Sequence, residues 1–156
     1  MGRRLDGIRF PARFYRDPED PLGRWLVELP GLEGTGLAAF GDTLAEARRH
    51  AQEVLTLYLE SGSTRELDRD LDALPPQLQG EKGWEWVRPD ASAEVPLMIR
   101  QLRRQAGLSQ KQAATRLGVP QTTWQKWEDP TRCNATLDTL GKVARTLGRV
   151  LEVTFR

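Results

Sequence analysis

A group of polar side chains near residue 121 has the residue types that read the edges of DNA bases. They share one face at helical spacing and follow directly after Val119-Pro120, and they are Gln121, Thr122, Gln125 and Lys126. Glutamine pairs with the N6 and N7 atoms of adenine, and lysine donates to O6 and N7 of guanine. Trp124 and Trp127 lie between them and would anchor the segment to a domain. The pattern predicts a helix over residues 121–127 whose polar face is free to read bases.

Local signals predict a second helix directly before this one. Ser109 and Gln112 have the spacing of a capping box, which starts a helix at Ser109, and Gly118 ends it. Gly118 takes the tight turn between the helices without a steric penalty because it has no Cβ. Further helices are predicted over 97–106 and from Thr136 to Leu147, with a linker over 89–93. The elements are typical of a DNA-binding helix-turn-helix, and a protein-binding module that has lost its DNA contacts is the alternative.

The segment resembles the helix-turn-helix domains of the Xre or lambda-repressor type over about 50 residues. The resemblance is carried by Leu108-Ser109-Gln110, Ala113-Ala114, Leu117-Gly118-Val119 and Trp127-Glu128. Two positions depart from the pattern, since Ala113 is smaller and Trp124 larger than usual. We interpret them as compensating volumes in one core.

The resemblance implies a role for each polar residue of the segment. Gln110, Thr131 and Arg132 would contact backbone phosphates of double-stranded operator DNA. Gln121, Thr122 and Lys126 would face base edges in the major groove, and Thr123 and Gln125 would contact a phosphate or a groove edge. It further implies a structural ion pair between Arg103 and Glu128.

The end of the chain has the alternation of a β-strand. Leu151, Val153 and Phe155 fall on one face, which is too short to form a sheet alone. Because helix-turn-helix domains usually bind paired half-sites as dimers, we expect this strand to pair with a second copy. The expected assembly is a homodimer or a higher even-numbered oligomer, and folding of the strand onto its own domain is the alternative.

Charge divides the chain into two parts. Residues 1–94 hold 12 basic and 18 acidic residues, a net charge of −6, and residues 95–156 hold 11 basic and 4 acidic residues, a net charge of +7. A small unit at +7 attracts a polyanion, although mutual attraction of the two halves is the alternative. We predict an α+β protein with domains over residues 1–90 and 91–156.

The N-terminal part has the pattern β-β-β-α-β. Phe10 and Phe14 belong to an alternating strand, a second strand contains Trp25, and a third covers 36–40. Thr43 and Glu46 form a capping box that starts a helix, which ends at 61–63, and residues 84–87 predict a fourth strand.

Three motifs of this part resemble the HicB antitoxin family. They are the run from Trp25 to Leu32, Gly41-Asp42-Thr43 and Glu46-Ala47. The resemblance implies a partial RNase H-like fold without nuclease activity and a small, basic, HicA-like toxin that cleaves mRNA as partner. It implies an antitoxin that also represses its own operon. The expected toxin-binding surface includes Leu32, Leu37 and Phe40. A regulator whose N-terminal domain binds a small ligand is the alternative.

Other classes of function lack their residue patterns. An RNase H nuclease needs carboxylates that converge on two metal ions, and no spacing in the N-terminal part fixes such a cluster. The sequence has no zinc pattern, phosphate loop or catalytic triad, and we interpret His50 as an ordinary surface or half-buried histidine. We therefore expect no enzyme, no metal and no cofactor. The sequence has a single cysteine and no signal peptide, which predicts a cytoplasmic protein. Because it also has no long apolar run, we expect no membrane partner.

Overall fold

The computed structural model describes residues 7–30, 38–61 and 82–155. The chain divides into two compact units, Met1–Ala93 and Glu94–Arg156. Antiparallel strands in the first unit and helices in the second confirm the predicted α+β class. No helix within these described ranges is long and apolar enough to cross a membrane.

The first unit is built on a four-stranded antiparallel sheet. Its strands are β1 (Phe10–Arg16), β2 (Trp25–Glu28), β3 (Ala39–Gly41) and β4 (Trp84–Val87), in the spatial order β3-β2-β1-β4. The register pairs Phe14 with Val27 and Phe10 with Val87. The predicted order β-β-β-α-β is confirmed, and the part of the third strand predicted before residue 38 lies outside the described residues.

One helix, α1 (Leu44–Glu60), packs on this sheet. The Thr43 hydroxyl accepts a hydrogen bond from the Glu46 backbone N–H, as the predicted cap requires. Small residues bring the helix close to β3, since a Cβ on Gly41 would lie 2.5 Å from the backbone nitrogen of Ala47. Apolar side chains of β1 and α1 fill the space between the layers, and they include Phe10, Ala12, Phe14, Ala51 and Leu55. The burial of this shared apolar face holds helix and sheet together.

An ion pair ties α1 to the edge strand β4. The Arg48 guanidinium donates from Nε and Nη2 to the Glu85 carboxylate at 2.8 and 2.6 Å. These hydrogen bonds hold the pKa of the Glu85 carboxyl below its usual value. The stabilisation is therefore present at neutral pH and is lost as the pH falls through that lowered pKa.

The second unit consists of helices. They are α2 (Ala91–Gln105), which begins just before it, α3 (Gln110–Leu117), α4 (Gln121–Trp127) and α5 (Leu137–Thr146). Their core contains Ile99, Leu108, Ala113, Ala114, Trp124, Trp127, Val143 and Leu147. The capping box at Ser109 and the caps at Thr136 and Gly118 are confirmed.

One expectation about element limits was wrong. The predicted linker over 89–93 is largely helix, because α2 already begins at Ala91. The Asp90 backbone N–H donates to the Thr56 hydroxyl, and the Asp90 carbonyl accepts from the Ala93 N–H, which starts the first turn there. Residues 150–155 belong to no strand within the described chain, and the predicted terminal strand, which would pair with a second copy, stays a prediction. A strand exists only when it exchanges hydrogen bonds with a neighbouring strand.

Candidate nucleic-acid interface

The turn between α3 and α4 fixes the relative position of these two helices. Gly118 has a φ of 78°, a left-handed conformation that strains any residue with a Cβ. Its backbone N–H bonds to the Thr115 carbonyl, and the Val119 N–H bonds to the Ala114 carbonyl. Pro120 then precedes α4 with an extended backbone, so the chain turns sharply between two helices.

A compact core holds α4 against α3. Ala113 and Ala114 are almost completely buried in α3, and Trp124 of α4 is fully buried. The rings of Trp124 and Trp127 meet edge to face, with their centroids 5.9 Å apart. Small residues on one helix and large rings on the other fill a single core, which agrees with the interpretation of Ala113 and Trp124 as compensating volumes.

The side chains predicted to read bases lie together on the outer face of α4. Gln121, Thr122, Gln125 and Lys126 are all exposed, and Thr123 is half-buried. Because both tryptophans of the helix point into the core, this polar face is the one that a duplex would meet.

Glu128, directly after α4, organises a buried hydrogen-bond network. Its carboxylate accepts from Arg103 Nε and Nη2 at 2.5 and 3.1 Å, which agrees with the implied ion pair. It also accepts from the indole N–H of Trp124 at 2.7 Å. These hydrogen bonds satisfy the carboxylate of a residue that is only 5% exposed. Because Arg103 belongs to α2 and Glu128 follows α4, the ion pair links these two helices inside the core.

The same carboxylate holds Gln110, the residue expected at a phosphate. Gln110 Nε2 donates to Glu128 Oε2 at 2.8 Å, which fixes the side-chain amide at the beginning of α3. A primary amide has two N–H donors, so one remains for a phosphate oxygen. No local sequence pattern predicts this contact, because the two residues are 18 positions apart.

Thr131 and Arg132, also expected at phosphates, share an acidic neighbour. Asp129 accepts from the backbone N–H and the hydroxyl of Thr131 at 2.9 and 2.7 Å. The Arg132 guanidinium lies 3.5 Å from the other Asp129 carboxylate oxygen. The loop therefore brings both expected residues together, and with them a negative charge that sequence reasoning missed.

Asp129 is expected to weaken DNA binding, and Asp129→Asn removes its charge while keeping an oxygen that accepts from Thr131. The variant no longer repels the DNA phosphates, and it frees Arg132 to contact them. DNA binding should therefore tighten about two- to fivefold at low salt, and less above about 0.3 M salt. The affinity for a duplex measured across a salt series checks this. Glu53→Gln, which removes one negative charge from α1, is the matched control. An equal gain in both variants, or none in Asp129→Asn, contradicts the assignment.

The other predicted contact residues are spread over both units. Leu151, Val153 and Phe155 are exposed in the tail, and Phe155 is 94% exposed. Phe40 lies on the edge strand β3, is exposed, and has the Arg24 guanidinium 4.7 Å from its ring centroid. Leu32 and Leu37 lie outside the described residues.

Comparison with known families identifies the second unit. Residues 98–153 match the family model described as a helix-turn-helix domain. A comparison with curated proteins gave no significant match. The matched segment contains most of α2, the whole of α3, α4 and α5, and each residue of the exposed face on α4. The C-terminal part of this chain is therefore a helix-turn-helix domain, which supports a DNA-binding regulator.

Proposed function

We propose that this protein is the antitoxin of a type II toxin–antitoxin system. Its N-terminal unit, a partial RNase H-like domain, binds and neutralises a small, basic, HicA-like toxin that cleaves mRNA. Its helix-turn-helix domain represses the operon that encodes both proteins. The helix-turn-helix match carries the regulatory half of this proposal.

The geometry of α3 and α4 supports the assignment of DNA contacts. Gln121, Thr122 and Lys126 face base edges from the exposed side of α4, with Thr123 and Gln125 at the groove edge or a phosphate. Gln110, Thr131 and Arg132 supply the phosphate contacts that position the helix. The net charge of +7 over residues 95–156 favours a polyanion.

Charge also supports the toxin half of the proposal. A toxin that holds RNA needs a basic surface, and residues 1–94 carry a net charge of −6. The turn between β1 and β2 concentrates acids, with Asp17, Glu19 and Asp20 in four residues. The edge strand β3, which pairs with β2, exposes Phe40, an aromatic side chain of the kind that anchors protein interfaces.

Co-expression with the product of a short, basic reading frame beside the gene tests this half. We expect the two proteins to copurify and the full chain to relieve growth arrest caused by the partner. Phe40→Ala should weaken the complex by roughly 1–2 kcal/mol, whereas Leu57→Ala, which removes an exposed apolar side chain from α1, should not. A missing partner gene, or growth arrest that the chain does not relieve, contradicts the antitoxin role and leaves DNA binding intact.

The exposed tail supports a homodimer. Val150, Leu151, Val153 and Phe155 expose apolar surface that pairing with a second copy would bury, and an antiparallel pair would supply the missing strand partner. Truncation after Gly148 should convert the dimer to a monomer in sedimentation velocity, with α2–α5 still folded by circular dichroism. Since Leu151→Ala alone removes less apolar surface, its dimer should be weakened rather than lost. An unchanged oligomeric state after truncation refutes this interface.

A further inference from the structure

The face of the sheet opposite α1 carries aromatic and arginine side chains. Alternation along β1 buries Phe10, Ala12 and Phe14, so Arg13 and Tyr15 lie on the other face. The register places Trp84 opposite Arg13 and Trp86 opposite Pro11, which puts both tryptophans of β4 on that same face. Glu85, between the two tryptophans, pairs with Arg48 of α1 and so lies on the α1 side, which agrees with this assignment of the faces.

We call this surface the β1–β4 face and define it as Arg9, Arg13, Tyr15, Trp84 and Trp86. Two of its arginines stack on its aromatic rings. The Arg9 guanidinium lies 4.4 Å from the centroid of a Trp86 ring, and Arg13 lies 5.2 Å from that of Tyr15. Arg9, Arg13 and Trp86 are exposed. A guanidinium stacked on a ring keeps donors at its edge that can still reach an anion.

Charge on this face is opposite to that of its unit. Of the three arginines within residues 8–16, Arg9 and Arg13 lie on this face and Arg16 lies on the α1 side beside Trp25, whereas residues 1–94 carry a net charge of −6. The acid nearest to it in the sheet is Glu28, whose carboxylate lies 3.8 Å from Arg13 and is 45% exposed. A polyanion with aromatic groups would match both the charge and the rings of this surface.

We propose that the β1–β4 face binds single-stranded nucleic acid. Unpaired bases stack on Trp86 and Tyr15, and the neighbouring phosphates pair with Arg9 and Arg13. Side chains two residues apart on a strand are about 6.6 Å apart, so Trp84 and Trp86 offer separate platforms to splayed bases. A duplex would be bound poorly there because its bases are stacked on one another and present only their edges. This activity goes beyond the proposed antitoxin role and does not depend on it.

Fluorescence anisotropy of the full chain with labelled 12-nucleotide single strands, one RNA and one DNA of mixed sequence, tests the proposal. We expect binding of at least one of them that is tighter than binding of a hairpin duplex. Trp86→Ala should raise the Kd roughly 5- to 50-fold, and Arg9→Ala should raise it and reduce its salt dependence. The matched control is Trp25→Ala, because Trp25 also stacks with an arginine, Arg16, but lies on the α1 side of the sheet.

Two comparisons separate this site from the helix-turn-helix domain. The double variant Gln121→Ala/Lys126→Ala should leave single-strand affinity unchanged. Photocrosslinking of the unaltered chain should label β1 or β4, and this experiment does not depend on the folding of a variant. If neither oligonucleotide binds, the proposal is overturned, and an acidic protein becomes the ligand that the charge of this face favours. Equal losses in Trp25→Ala and Trp86→Ala, or crosslinks confined to α3 and α4, also overturn it.

Discussion

Trp124→Ala is expected to lower the free energy of unfolding of the helix-turn-helix domain by about 3–5 kcal/mol. The side chain is fully buried between helices that are short, so the cavity left behind cannot be filled by a small shift. The variant also loses the edge-to-face contact with Trp127 and the indole donor to Glu128. Because isolated helices of seven or eight residues are unstable in water, loss of this core should unfold α3 and α4 together.

Amide hydrogen exchange over residues 108–147 measures this effect without interference from the first unit. Trp124→Phe is the graded control, since it keeps most of the ring volume and loses the hydrogen bond, and it should cost about 1–2 kcal/mol. We expect exchange in the sheet of the first unit to stay unchanged in both variants. A loss below about 1 kcal/mol in Trp124→Ala would show that this tryptophan does not hold the core together.

Gln121→Ala and Lys126→Ala are each expected to cost about 1–3 kcal/mol of affinity for the cognate duplex. Both side chains are exposed, so the fold should survive each change. The two residues do not contact the same base in our assignment, and their costs should add approximately. Binding to unrelated duplex should fall only slightly in Gln121→Ala, because a neutral amide releases no counterions.

Titration of each variant with specific and scrambled duplexes gives these costs. Lys142→Ala is the matched control for Lys126→Ala, since Lys142 lies on α5 and pairs with Asp138 at 3.0 Å. It should leave the ratio of specific to unspecific affinity unchanged. A ratio that falls equally in Lys142→Ala and Lys126→Ala would mean that Lys126 contributes only general positive charge.

The elements of the helix-turn-helix could be predicted because their signals are local. Ser109, Thr136 and Gly118 act through neighbours three or four residues away, and the structure confirms all three caps. The spacing of Trp124 and Trp127 in the same way identified the buried side of α4 and, by exclusion, its polar face.

Contacts between distant segments could not be predicted from such signals. Glu128 meets Gln110 because α3 and α4 fold back on each other, and no local pattern encodes that hydrogen bond. The start of α2 was misjudged for a related reason, since Thr56, 34 residues earlier, holds the Asp90 backbone in place. The stacking of arginines on the β1–β4 face could not be predicted either, because it depends on the register that places Trp86 beside β1.

Selection of the full chain against a random duplex library shows whether α4 reads a specific DNA sequence. The expected result is an enriched motif bound at least about 10³-fold more tightly than random duplex at physiological salt. Gln121→Ala should relax the motif at one base pair and leave the other positions unchanged. Absence of an enriched motif, with equal affinity for all duplexes, would contradict the assignment of this domain as a sequence-specific DNA reader.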